Sequence, residues 1–216
     1  WGMSAYRDRV IDTDATVYTR LTDAGAILLG KLSTGALAVS ARWFGGLTRN
    51  PWNTAQDAAG SSAGSGAATA AGLAFATLGS DTGGSIRHPA AACGTVGLKP
   101  TWGRVSRYGV MDLAQSLDHV GPLTRSAADA GIVLQAISGQ DPNDVTTLSK
   151  EAPEMLVGVG TGVKGLKIGW DEDYSTADME PSFARAVAAG VRVMENLGAE
   201  IVPVKMPVIL REAMTA

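Results

Sequence analysis

The chain has 216 residues, 45% of them hydrophobic and 18% charged, with mean hydropathy +0.10, so it can fill a core and is not a disordered tail. Its net charge is −3 and its Lys and Arg are scattered singly, which argues against a nucleic-acid or membrane-surface footprint; neither partner is expected. No apolar run approaches the ~18 residues of a membrane helix, and Cys93 stands alone, excluding an internal disulfide and a Cys/His zinc cluster.

The expected setting is therefore reducing and cytoplasmic, with no metal and no cofactor. Residues 1–216 read as one domain. The chain opens at Trp1, without an initiator Met or an N-terminal element of its own, so an interior portion of a longer protein is expected.

Asp14 is expected to cap a helix carrying Val17 and Leu21 on one face, ended by Gly25, and Ala26-Ile27-Leu28-Leu29 reads as a strand. From Ala58 to Gly72 every residue is Ala, Gly, Ser or Thr. A flexible linker is one reading. The alanines at 67, 68, 70, 71 and 74 favour the other, a tight loop through Ser61-Ser62-Ala63-Gly64-Ser65 feeding a closely packed helix.

Phe75 to Gly79 then reads as a strand, followed by a glycine loop and a helix. Ser126 and Asp129 form a capping box for a helix carrying Ile132, Val133, Leu134 and Ile137 up to Gly139. Gln140 to Gly162 is polar, holds Pro142 and Pro153, and reads as a surface connection. Leu166 to Trp170 is a strand, Pro181 opens a helix carrying Phe183, Val187, Val191 and Met194, Gly198 closes it, and Glu200 to Val204 is a second strand. Strand, helix, strand is the form of a parallel crossover. The class is α/β, with a mixed, largely parallel β-sheet core covered by helices.

Chemistry concentrates in Ser80-Asp81-Thr82-Gly83-Gly84-Ser85-Ile86-Arg87-His88-Pro89. Paired glycines let N–H groups converge on a concavity and the following helix adds a positive dipole end, so the loop suits an oxyanion or a phosphate. A phosphate loop would carry Lys after its glycines; Ser85-Ile86-Arg87 stands there instead. Ser85 is either a nucleophile beside oxyanion donors or a plain N-cap serine. Neither His88 nor His119 sits in a triad signature, which leaves a lysine base as in Ser/Lys hydrolases and gives Ser61 and Ser62 a purpose.

Gly60-Ser61-Ser62-Ala63-Gly64-Ser65, then Gly79 through Ala90, then Cys93-Gly94-Thr95-Val96-Gly97-Leu98-Lys99-Pro100-Thr101 closely resemble the signature of the amidase signature family. The likeness extends to Thr48-Arg49-Asn50-Pro51-Trp52-Asn53, Gly103-Arg104-Val105-Ser106-Arg107-Tyr108-Gly109 and Ser116-Leu117-Asp118-His119-Val120-Gly121-Pro122, and so covers essentially the whole chain. It implies that family's fold, incomplete here at both ends, and a Ser, cis-Ser, Lys hydrolase of small-molecule amides. By that resemblance Ser85 takes the nucleophile's place, and Ser61, after a cis bond from Gly60, takes that of the relay serine. The N–H groups of Thr82, Gly83 and Gly84, with that of Ser85, take the oxyanion hole's place, and Asp81 and Arg87 brace the loop. The Ser61 and Ser85 hydroxyls are expected within hydrogen-bond reach or one water apart.

The family's lysine lies well upstream of the Ser-Ser loop and is expected before Trp1. Lys31 leaves an apolar segment but matches a later Gly-Lys that is not the base, and Lys99 reads as structural. Without the base, the 216 residues alone are expected to be inactive. Ala59 and Ala63 replace glycines of many members, and Cys93 reads as a buried, inert thiol.

The main expectation is an amidase that forms an acyl-enzyme on Ser85 and releases ammonia or an amine. The alternatives are an amidotransferase A-type subunit that draws on glutamine and, from another class, an inactive anion-binding module. Amidotransferase subunits carry Asp-Glu-Phe-Ala where this chain reads Leu32 to Ala38, which favours the general amidase.

Overall fold

A computed structural model describes residues 1–207, which form two compact units, Trp1–Val157 and a second that begins at Gly158. The first holds α1 (Thr16–Asp23), β1 (Arg42–Trp43), β2 (Gly46–Leu47), α2 (Ala63–Ala70), β3 (Ala76–Asp81), α3 (Arg87–Cys93), β4 (Val96–Gly97), β5 (His119–Thr124) and α4 (Ala127–Ile137). The second holds β6 (Lys167–Trp170), α5 (Glu172–Thr176), α6 (Pro181–Asn196) and β7 (Glu200–Pro203).

The larger sheet of the first unit runs β3-β5-β4 and is antiparallel throughout, with Asp81 opposite His119 and Ala76 opposite Thr124, and β1 and β2 form a separate antiparallel pair. This corrects the expectation of a largely parallel sheet: among the described strands only β6 and β7 pair in parallel. The crossover read from residues 166–204 is local to the second unit, whereas β3 returns to β5 through α3, β4 and an irregular stretch that reverse its direction.

Pro122 lies in the central strand, where a missing N–H would ordinarily break the ladder. Its carbonyl accepts the Leu98 N–H at 3.0 Å, so the missing N–H falls on the β4 side and costs the β3 ladder nothing, while on the outer edge of β3 the Leu78 carbonyl accepts the Ser65 hydroxyl at 2.7 Å. Ser62 adds two bonds of 3.2 Å, accepting from Ser80 N–H and donating to Ser80 O. Hydroxyls of α2 thus satisfy the edge of β3 that β5 does not reach.

This close approach explains the small residues of 58–72, and the helix reading holds: most of α2 is buried. A methyl group on Gly66 would stand 2.9 Å from Pro89, and one on Gly79 would stand 2.6 Å from Ser62 Oγ. Ala41, Ala58, Ala63 and Cys93 form one buried cluster around α2, Ile86, Ala90 and Leu123 a second under the glycine loop, and Val17, Val105, Val120, Leu134 and Ile137 a third beneath β5.

Three local expectations change. Residues 26–29 pair with no strand among the described residues, and Ile27, Leu28 and Leu29 are 84%, 56% and 73% exposed; hydrophobicity without a partner edge makes no strand. The cap of α1 is Ala15 and not Asp14, because the Thr16 N–H finds the Tyr108 carbonyl at 3.2 Å and needs no carboxylate.

The connection after α4 is not wholly a surface feature, since Asp141 and Asp144 are buried. Asp141 accepts 2.5 Å bonds from the Thr16 and Ser106 hydroxyls, and Asp144 takes the Arg107 N–H at 2.8 Å. The Ser126–Asp129 box, Pro181 as the first residue of α6 and the positive φ of Gly198 after it stand as read.

Candidate active site

Two loops meet at the end of β3. The first carries Gly60, whose bond to Ser61 is cis as the resemblance implies, and leads straight into α2. Its carbonyl at Ser61 accepts from Gly35 N–H at 2.9 Å and the Thr34 hydroxyl at 3.1 Å. The Ser61 side chain is 1% exposed, and its hydroxyl has no hydrogen-bond partner among the described residues. It therefore makes no direct bond to Ser85.

The second loop runs from Asp81 to α3. Asp81 is fully buried and gathers the loop around its carboxylate. One oxygen accepts from Gly84 N–H at 2.7 Å and Arg87 Nη2 at 2.9 Å; the other accepts from Ile86 N–H at 3.1 Å, Arg87 N–H at 3.3 Å and Arg87 Nε at 3.0 Å. Burial works against the charge of Asp81. The Arg87 side chain, the N–H groups of Ile86 and Gly84 and the Arg87 charge outweigh it, so the carboxyl lies below its ordinary range. The Arg87 guanidinium is held above its usual value chiefly by the hydrogen bond to Asp81.

Of the four amides expected to line an oxyanion hole, that of Gly84 is already taken by Asp81. Those of Thr82, Gly83 and Ser85 donate to no acceptor among the described residues. Gly84 turns at φ +132°, a conformation L side chains rarely adopt, and a methyl group there would meet the His88 ring at 2.8 Å. Ser85 is half-buried at the mouth of the loop, and its carbonyl accepts the Ser62 N–H at 3.1 Å.

None of the remaining candidates makes a hydrogen bond to the Ser61 or Ser85 hydroxyl. Lys31 is exposed and makes no bond to Ser61. Lys99 donates to Pro100 O at 2.8 Å and lies 3.2 Å from His119 Nε2, which occupies it structurally. His119 turns Nδ1 to the Leu117 carbonyl at 2.6 Å, and His88 is exposed. Cys93 is buried at the end of α3 with its thiol pushed up by burial, an inert state. No group of His, Cys, Asp and Glu suited to a metal ion occurs among the described residues.

One residue escaped the sequence reading. Asp118 accepts the Thr82 hydroxyl at 2.5 Å and so holds the same loop at a residue that Asp81 does not bond. The only signal for it was its place in the Ser-Leu-Asp-His stretch, whose approach to the glycine loop depends on strand pairing.

The chain is 46% identical over 197 residues to the A-type subunit of glutamyl-tRNA(Gln) amidotransferase from Geobacter sp. (strain M21), covering 90% of this chain and 41% of that one. The crystal structure of the corresponding A-type subunit of glutamyl-tRNA(Gln) amidotransferase from Thermotoga maritima matches with TM-score 0.93 and 40% identity, over 98% of this chain and 47% of that one. Native peptide amidase from Stenotrophomonas maltophilia matches with TM-score 0.84 and 36% identity, over 99% of this chain and 46% of that one. The chain thus spans less than half the length of these relatives. With the Amidase family model matching residues 1–214, and the cis Ser61 loop and the Asp81-braced glycine loop in the arrangement the signature implies, the chain belongs to the amidase signature family.

Proposed function

We propose that these residues carry the amide-hydrolysing centre of an amidotransferase A-type subunit, with glutamine as the amide donor. The observation that carries this reading is the 46% identity, over nine-tenths of the chain, to the A-type subunit of a glutamyl-tRNA(Gln) amidotransferase. The general amidase favoured by the residues at 32–38 is the second reading. That segment lies against the relay loop, since Thr34 and Gly35 hold the Ser61 carbonyl, so its departure from Asp-Glu-Phe-Ala bears on the site itself.

In either reading Ser85 Oγ attacks the amide carbonyl, the C–O bond forms, and the negative charge that develops on oxygen meets the N–H groups of Thr82, Gly83 and Ser85. The Ser85 proton passes to Ser61 and back to the leaving nitrogen, and ammonia departs as the C–N bond breaks. Water then attacks the acyl-enzyme by the reverse path and releases the acid. The relay ends at a lysine by resemblance, and the unpartnered Ser61 hydroxyl is the point at which such a base would dock, because a buried hydroxyl left unpaired costs about 1–3 kcal/mol. The net charge of −3, with Lys and Arg scattered singly, supports a reading in which these residues do not themselves contact transfer RNA.

The test is ammonia release by the intact protein from L-glutamine, propionamide and a C-terminal peptide amide. A kcat/KM for glutamine at least tenfold above the others is expected; preference for the peptide amide or propionamide selects the general amidase.

A further inference from the structure

We infer that Asp118 is the positioning residue of the oxyanion-binding amides, acting through the Thr82 hydroxyl; the inference rests on the reading of Ser85 as nucleophile. Asp118 is buried, and each of its oxygens is committed. Oδ1 accepts the Thr82 hydroxyl at 2.5 Å, and Oδ2 accepts the N–H groups of Leu113 at 2.7 Å and Ala114 at 2.9 Å. The antiparallel register, with Asp81 opposite His119, brings Thr82 as it leaves β3 beside Asp118 as it enters β5.

The need for such a contact follows from what surrounds the loop. Asp81 holds the backbone from Gly84 onward but takes no N–H from Thr82 or Gly83. Gly83 is exposed, and a side chain placed there would meet nothing within 4 Å, so packing does not hold it either. A peptide with free torsions and no packing samples many orientations. Oxyanion donors act only when aimed before charge develops. The bond from Thr82 to Asp118 is the described side-chain contact that fixes this peptide, which is anchored in turn to the 113–114 backbone. Because the Thr82 hydroxyl proton is directed at Asp118, Thr82 serves the oxyanion through its N–H and not through its side chain.

The experiment uses the intact protein and the best amide among glutamine, propionamide and the peptide amide, with Thr82→Val, Thr82→Ser, Asp118→Asn and the double variant Thr82→Val/Asp118→Asn. Thr82→Val and Asp118→Asn are expected to lower kcat about 10- to 100-fold, below the full loss of a donor, with KM within about threefold. Thr82→Ser keeps the hydroxyl and should stay within about threefold of wild type. The double variant should fall no further than Thr82→Val, since both changes break one bond.

Labelling of Ser85 by a fluorophosphonate supplies a readout that needs no substrate, and its rate should drop in parallel with kcat. Should Asp118→Asn fail to fold, the Thr82 pair decides. Unchanged kcat and labelling in Thr82→Val, a loss carried by KM alone, an equal loss in Thr82→Ser, or an additive double variant overturns the role of Asp118. A wild type that labels at Ser85 but releases no ammonia defeats the amide reading while the labelling rates still decide this one; a wild type that does not label defeats both.

Discussion

The Ser62 N–H donates to the Ser85 carbonyl at 3.1 Å, so the cis-serine loop and the glycine loop are joined backbone to backbone. The same residue uses its hydroxyl to bond both polar groups of Ser80, tying the entry of α2 to the edge of β3. Ser61 and Ser85 are thereby held by main chain and do not depend on long side chains for their relative position, a geometry that the proposed proton relay requires.

Labelling reads the two serines separately. In the intact protein a fluorophosphonate should modify Ser85, where a half-buried hydroxyl adjoins the free amides. Ser85→Ala should abolish labelling and turnover and leave the thermal midpoint within a few degrees. Ser61→Ala should lower kcat about 10²- to 10⁴-fold by breaking the relay. Recovery of label on Ser62, Ser65 or Cys93, mapped by peptide mass spectrometry, would sink the assignment.

Asp81 ties acid stability to the site. Its folded pKa lies below the unfolded value of about 3.9, so its contribution is fully present above pH 4 and is lost as pH falls through the depressed folded value. Asp81→Asn should cost about 1–3 kcal/mol at pH 7, because buried N–H donors lose a charged acceptor while Arg87, 52% exposed, regains water. It should also flatten the acid limb of stability. Denaturant unfolding of both proteins between pH 2 and 7 measures this, and parallel acid limbs would count against it. Asp141 and Asp144, likewise lowered although burial opposes their charge, keep a residual slope in the variant.

Ala59 should tolerate glycine better than alanine. It stands at φ +56°, where a Cβ crowds the following carbonyl by roughly 1–2 kcal/mol, while glycine loses about 0.5–1 kcal/mol more chain entropy on folding. Ala59→Gly is therefore expected to be neutral to stabilising by up to about 1 kcal/mol in urea unfolding. A loss above 1 kcal/mol would show that the methyl packs usefully beside Ala58.

Much of this protein was legible without coordinates because its signals are local. Ser126 three residues before Asp129, Pro181 before an apolar stripe and Gly198 after it each specify a helix end from neighbours in sequence. The unbroken run of small residues from Ala58 to Gly72 declared a close backbone approach, and the serine and glycine motifs singled out Ser61, Ser85, Asp81 and Arg87, of which Asp81 and Arg87 bond each other in the fold. What the tertiary structure alone decided depends on pairing between distant segments. The apolar run 26–29 makes no strand without an edge to join, and the direction of β5 against β3 follows from the path of the chain between them. The same holds for the division of labour among the amides. Gly84 serves Asp81, and Thr82 is held by Asp118 across 36 residues of sequence, because an antiparallel register sets the two side by side.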